Sequence, residues 1–230
     1  MGFDRLKIAT KLWLFIVIIL TLLTTIAGVG LARSASILAE GRAQQQLAYK
    51  MVQVATRWSG LTETNATRNH AIIVSTEPAI SAAFKDAITA TSNEITEMQK
   101  QLDALPLTDA DKAQLAKISE LRKSVIALRE KARAARTDGK ADEALQILNT
   151  QYLPAMAAYI GGQKELVKMQ EQRVIDVGTD TENRRQNNSY GILAGLVLIV
   201  ALISVGTFWL VHSIRDPLDQ ANELAARIAQ

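Results

Sequence analysis

Asn65 and Arg68 break an otherwise apolar pattern. They follow Leu47, Met51, Val54, Trp58 and Leu61 at alternating steps of four and three, and Ile72 continues the series. Positions spaced this way face the interior of a helical bundle. A guanidinium there costs several kcal/mol unless an anion meets it. Thr91 interrupts a second seam in the same manner. Arg122, Arg129 and Arg136 recur every seven residues beside a third seam, with Arg133 among them, and Tyr152 lies on a fourth. The guanidinium fork binds carboxylate oxygens in pairs, so an arginine cluster with hydroxyls at one level suits a small carboxylate. The candidate ligand-binding residues are therefore Arg68, Thr91, Arg122, Arg129, Tyr152 and Asn65.

Each of these residues also has a plainer reading. Arginines flanking a seam commonly pair with Asp or Glu of a neighbouring helix, and a buried Asn can set register or oligomeric state. Pro154 removes a backbone hydrogen bond inside the fourth helix and predicts a kink beside Tyr152 and Tyr159. That kink either shapes a pocket or is simply tolerated. Other chemistry has little support. His70 and His212 lack metal-ligand spacing, and there is neither a Gly-rich phosphate loop nor a Ser–His–Asp arrangement. The absence of cysteine excludes disulfides and thiolate metal sites. No enzyme activity, cofactor or metal is expected.

Ala, Leu, Gln, Glu, Lys and Arg dominate the middle of the chain, without a useful alternating pattern, which favours helix throughout. Pro and Gly mark four segments. The first runs from about Arg33 to Ser75 and the second from about Ala79 to Ala104. The third starts after Thr108, where Thr108 and Asp111 form a capping-box pattern, and ends at Thr137-Asp138-Gly139. The fourth runs from about Lys140 to Ser189. Steps of three and four recur in all of them, for example Phe84, Ile88, Thr91, Ile95, Met98 and Leu102 in the second. The fold class is all-α, a membrane-anchored antiparallel four-helix bundle with two transmembrane helices.

The anchors are two uncharged apolar runs, at 12–32 and 191–211. Each is long enough to cross a hydrocarbon core of about 30 Å as a helix. The first exceeds the usual h-region of a cleaved signal peptide and reads as an uncleaved anchor. Arg5, Lys7 and Lys11 precede it, and His212, Arg215 and Arg227 follow the second run, so both termini are expected in the cytoplasm. The segments are then 1–11, a cytoplasmic N-terminus; 12–32, the first transmembrane helix; 33–189, a periplasmic ligand-binding bundle; 190–211, the second transmembrane helix; and 212–230, a cytoplasmic extension. Gly191 and Gly195 make a GxxxG pattern that points weakly to helix packing. The net charge of +3 gives no reason to expect nucleic acid as a partner.

This layout resembles the bacterial methyl-accepting chemotaxis receptors with a four-helix-bundle sensor. The most specific part is Ser213-Ile214-Arg215-Asp216-Pro217-Leu218 with Ala225-Arg227-Ile228-Ala229, which is similar to the first helix of a HAMP linker with a seam at Leu218, Ala221, Ala225 and Ile228. The resemblance implies the N-terminal part of a longer receptor in the bacterial inner membrane. It further implies a homodimer, and a downstream kinase and adaptor reached through a signalling region beyond Gln230. Arg68 is the position that matches the ligand-contacting arginines of the amino-acid receptors. Tyr152-Leu153-Pro154-Ala155 is less polar than the corresponding stretch of those receptors, so an organic di- or tricarboxylate is expected rather than an amino acid. The same front end could also precede a histidine kinase or a cyclic-dinucleotide enzyme, or could serve only as a structural dimerising bundle.

Overall fold

The computed structural model describes residues 8–228. Arg5 and Lys7 of the basic N-terminus, and the side chains of the Leu218, Ala221, Ala225 and Ile228 seam, lie outside the described residues. All the described elements are helical: α1 (Ile8–Val74), α2 (Pro78–Asp103), α3 (Asp109–Thr137), α4 (Ala141–Ile147), a π-helical turn (Leu148–Tyr152) and α5 (Leu153–Ile228). The expected first segment and first apolar run are thus one helix of 67 residues, and α5, of 76 residues, contains the second run.

Local chemistry sets the boundaries. Pro78 opens α2, where its missing N–H has no helical partner to lose. Thr108 caps α3: its hydroxyl accepts from Asp111 N–H, and the Asp111 carboxylate accepts from Thr108 N–H at 2.8 Å. Gly139, at φ 77°, turns the chain out of α3 in a conformation that side chains disfavour. Across that turn Lys140 N–H reaches Ala135 O at 2.9 Å.

The expected fourth helix, kinked at Pro154, is instead α4, the π turn and α5. Pro154 leaves the carbonyl of residue 150 without its helical donor and crowds it with the ring. The turn before it widens, and Leu153 N–H bonds Leu148 O. A wide turn holds one extra residue in the helix, in place of a simple kink.

The chain forms two compact units. One is Ala43–Gly178, whose core is built on Trp58, Ile73, Leu102, Ile118, Leu148, Tyr152 and Leu166. Its buried stripes are wider than the seams read from the sequence. Beside the α1 seam, Ala48, Ala55, Thr62 and Asn69 are buried at intervals of seven. On α5 Met156, Gln163 and Gln170 do the same. Gln163 Nε2 donates to Thr62 Oγ1 at 3.0 Å.

The α2–α3 connection is fixed to α5 through Asp111. This carboxylate has no solvent exposure, and it accepts from Arg173 Nη1 at 2.8 Å, Arg173 Nη2 at 3.1 Å and Gln170 Nε2 at 2.6 Å. Burial alone would raise its pKa. The Arg173 guanidinium, the Thr108 hydroxyl and N–H, and the Gln170 amide outweigh that and hold it at about 2.

The other unit pairs α1 up to Arg42 with α5 from Thr179. Two helices, one in each partner, are long and apolar enough to cross a membrane. Their apolar side chains have little protein cover, with Leu31 72%, Val205 68% and Phe208 70% exposed, which suits a lipid surround rather than a soluble core. Small residues set the approach of the two helices. A Cβ on Gly30 would lie 2.6 Å from Ile192, and one on Gly195 3.0 Å from Ile26. Near the other end of the pair, Lys11 Nζ donates to Ser213 Oγ at 3.0 Å.

Asp111→Ala should destabilise the chain by about 2–4 kcal/mol, because it strips Arg173 and the α3 cap of their common acceptor. Circular-dichroism melts in detergent check this, and a loss below about 0.5 kcal/mol would contradict the role, being no more than an ordinary surface change. The pH dependence has a definite sign. A carboxylate whose pKa is lower folded than unfolded stabilises fully above its ordinary value of 3.8 and loses that stabilisation as pH falls toward 2. The difference is worth about 2 kcal/mol and should be absent from Asp111→Asn.

Candidate functional site

The α1, α2, α3 and α5 faces of the bundle unit enclose a cavity of about 200 Å³. Four of the six candidate residues line it: Asn65, Arg122, Arg129 and Tyr152. Arg68 and Thr91 are not among the lining residues. They meet each other instead, Arg68 Nη1 donating to Thr91 Oγ1 at 2.6 Å and to Ala87 O at 3.2 Å. The half-buried guanidinium of Arg68 therefore finds neutral acceptors on α2 and fastens α1 to it.

The third-helix arginines divide in the same way. Arg136 donates to Ser75 O through Nη2 at 2.7 Å and Nε at 3.1 Å, closing the C-terminal end of α1. Arg133 Nη2 donates to Asn69 Oδ1 at 2.9 Å. Arg122 and Arg129 remain at the cavity. Arg122 donates to the neutral Gln99 Oε1. Arg129 pairs with Glu130, its neighbour in sequence, at 2.8 Å. No Asp or Glu lines the cavity. Its charge is thus two guanidinium groups without an opposing carboxylate in the wall.

Two buried polar atoms in this wall lack hydrogen-bond partners. One is the Tyr152 hydroxyl, on a side chain with no solvent exposure, and the other is Asn65 Oδ1. Asn65 Nδ2 faces Ile88 O at 3.4 Å and Ser92 Oγ at 3.0 Å, so its oxygen must be the free end. Burial pushes the Tyr152 phenol up to about 12, against the opposing pull of Arg129 and then Arg133. Tyr159 is likewise raised by burial, with Arg122, then the Thr62 hydroxyl and the Trp58 indole, opposing. Both phenols stay protonated near neutrality and can donate.

Sequence reasoning missed Thr62, Asn69 and Ser92 as lining residues, whereas Tyr159, placed beside the Pro154 distortion, does line the cavity. For Thr62 and Asn69 a signal was present: they extend the Ala48 and Ala55 series at the same interval, one place beside the seam. A bundle helix buries such a third position per heptad.

A cavity lined by arginine, asparagine and tyrosine among apolar side chains, in a bundle whose long helices contain apolar membrane-length runs, fits a sensor module. The family model described as a four helix bundle sensory module for signal transduction matches residues 5–184. The chain belongs to that family, the four-helix-bundle sensory module of methyl-accepting chemotaxis proteins. Among curated proteins none matches the chain.

Tyr152→Phe removes a buried donor that has no acceptor, so it should leave stability unchanged or raise it. Arg68→Ala, which frees α1 from Thr91 and Ala87, should cost about 1–3 kcal/mol. Thermal melts of the two variants side by side check the contrast, and equal losses would refute the division between cavity and strut.

Proposed function

We propose that this chain is the sensor portion of a chemotaxis receptor whose periplasmic bundle binds a small organic di- or tricarboxylate in the α1–α2–α3–α5 cavity. The observation that carries this reading is the pairing of Arg122 and Arg129 in a wall without acidic residues. A carboxylate accepts from either guanidinium and from the protonated Tyr152 hydroxyl. Asn65 Oδ1 needs a donor, which a ligand hydroxyl supplies, so hydroxy acids rank first. The volume of about 200 Å³ is below the roughly 300–1,000 Å³ of drug-sized sites and favours a compact metabolite.

Both termini are taken as cytoplasmic, the receptor as an inner-membrane homodimer, and the segment from 212 as the start of a HAMP linker. Output passes along α5, which runs from the cavity wall at Tyr159 into the second apolar run without interruption. A ligand that prefers one bundle arrangement shifts α5 by its differential affinity for the two. The reading assigns the chain no catalysis and no cofactor.

A thermal-shift screen of the purified chain against hydroxy acids, dicarboxylates, tricarboxylates and amino acids tests the ligand class. A ligand at a hundred times its Kd adds about 2.7 kcal/mol, which should raise the Tm by roughly 5–10 °C for a chain of this size. Arg122→Ala and Arg129→Ala should abolish the shift and Arg68→Ala should keep it. A shift that survives both α3 variants removes the site from this cavity. Cysteines introduced along 174–190 should change their cross-linking rates when ligand binds, and unchanged rates would rule out transmission through α5.

A further inference from the structure

A second cavity, of about 710 Å³, lies wholly within the paired segments of α1 and α5. Its wall changes character along its length. Thr25, Ile26 and Val29 lie inside the first apolar run, and Ile192 inside the second; Arg33, Arg184, Asn187 and Asn188 lie just outside them. From Arg33 to Thr25 is about 12 Å along a helix, enough to accompany the upper part of an acyl chain. The polar end carries the charge. Arg184 Nη2 is paired with Glu40 at 3.0 Å, whereas the Arg33 side chain makes no ion pair or hydrogen bond among the described residues. Asn188 Nδ2 donates to Gly30 O at 3.1 Å, which holds that side chain against the wall. Gly191 also lines the cavity, and a Cβ built on it meets nothing within 4 Å.

We propose that this groove is a binding site for an anionic phospholipid of the outer leaflet. The phosphate lies against Arg33, beside Asn187, and one acyl chain follows Ile192, Ile26 and Val29 between the helices. The inference rests on the two apolar segments crossing the membrane with both termini cytoplasmic, not on the ligand assigned to the bundle cavity. An uncharged groove wall would accept any acyl chain. The unpaired guanidinium at the level where headgroups begin is what selects a net negative lipid, because zwitterionic headgroups bring an ammonium with their phosphate.

Native mass spectrometry of the full chain, released from mixed phosphatidylglycerol and phosphatidylcholine nanodiscs, tests the site. We expect one retained phosphatidylglycerol per chain, preferred over phosphatidylcholine by about fivefold, the effect of one cation near the headgroup. Arg33→Gln should remove the preference. Gly191→Leu, whose Cβ enters open space in the groove, should reduce retention of both lipids. Equal retention of the two lipids by the parent chain would overturn the proposal, as would a preference unchanged by Arg33→Gln. Displacement of the lipid by millimolar glycerol phosphate would also overturn it, by showing a soluble-anion site. Loss of lipid retention in chains cross-linked to a second copy through Ser36→Cys would place that copy in the groove and exclude the lipid.

Discussion

A carboxylate without solvent must be fully supplied with donors, and Asp111 is the point where this fold meets that demand. Its two oxygens are divided among the α3 cap, Gln170 and Arg173. Three separate parts of the chain therefore have to arrive together: the α2–α3 connection, the first turn of α3, and the α5 face that carries Gln170 and Arg173. Apolar packing alone would leave antiparallel helices free to slide by a turn at small cost. A buried ion pair of this kind has one register in which it is satisfied, and every other register strands a charge. The residues above Arg173 on α5, including Tyr159 and Gln163, take their heights from it.

The cavity obeys the same rule in reverse. Along α1 the interior positions become polar toward the distal end, from Ala48 and Ala55 to Thr62, Asn65 and Asn69. Some of those groups are satisfied within the bundle, as Thr62 is by Gln163 and Asn69 by Arg133. The Tyr152 hydroxyl and Asn65 Oδ1 are not. The bundle is held by the Trp58, Ile118 and Leu166 layers, while the cavity wall keeps polar groups that folding leaves without partners.

Much of this was legible in the residues. The capping box at Thr108 and Asp111, the glycine turn at 139 and the two apolar runs each carry their structural meaning locally, so the helix count and order followed. Arg68 ends away from the cavity because helical spacing gives the face of a side chain but not the reach of its head. A guanidinium leaves its own seam by several ångströms, and this one ends on the α2 backbone. Arg122 and Arg129 were readable as cavity residues only as a group, since their separation from Arg133 and Arg136 depends on which acceptors α1 offers opposite each turn. The Asp111–Arg173 pair joins residues 62 apart in sequence, and no local pattern announces it.

The π turn has a consequence for how this helix is counted. A heptad frame carried upward from Gln170, Leu166, Gln163, Tyr159 and Met156 through Tyr152 would next turn Asn149, Leu145 and Asp142 inward. Asn149 and Asp142 are exposed and Leu145 is half-buried, whereas Leu148, Ile147 and Ala144 are fully buried. The extra residue held at 148–152 offsets the two frames by one place. Sequence and space therefore fall out of step at a single point, and the α4 stripe can be read only from its own end. The reading frame of the bundle changes at the level of the Tyr152 cavity, so one residue gained or lost there would rotate the distal α4 face by about 100° while the stretch leading to the second apolar run kept its phase.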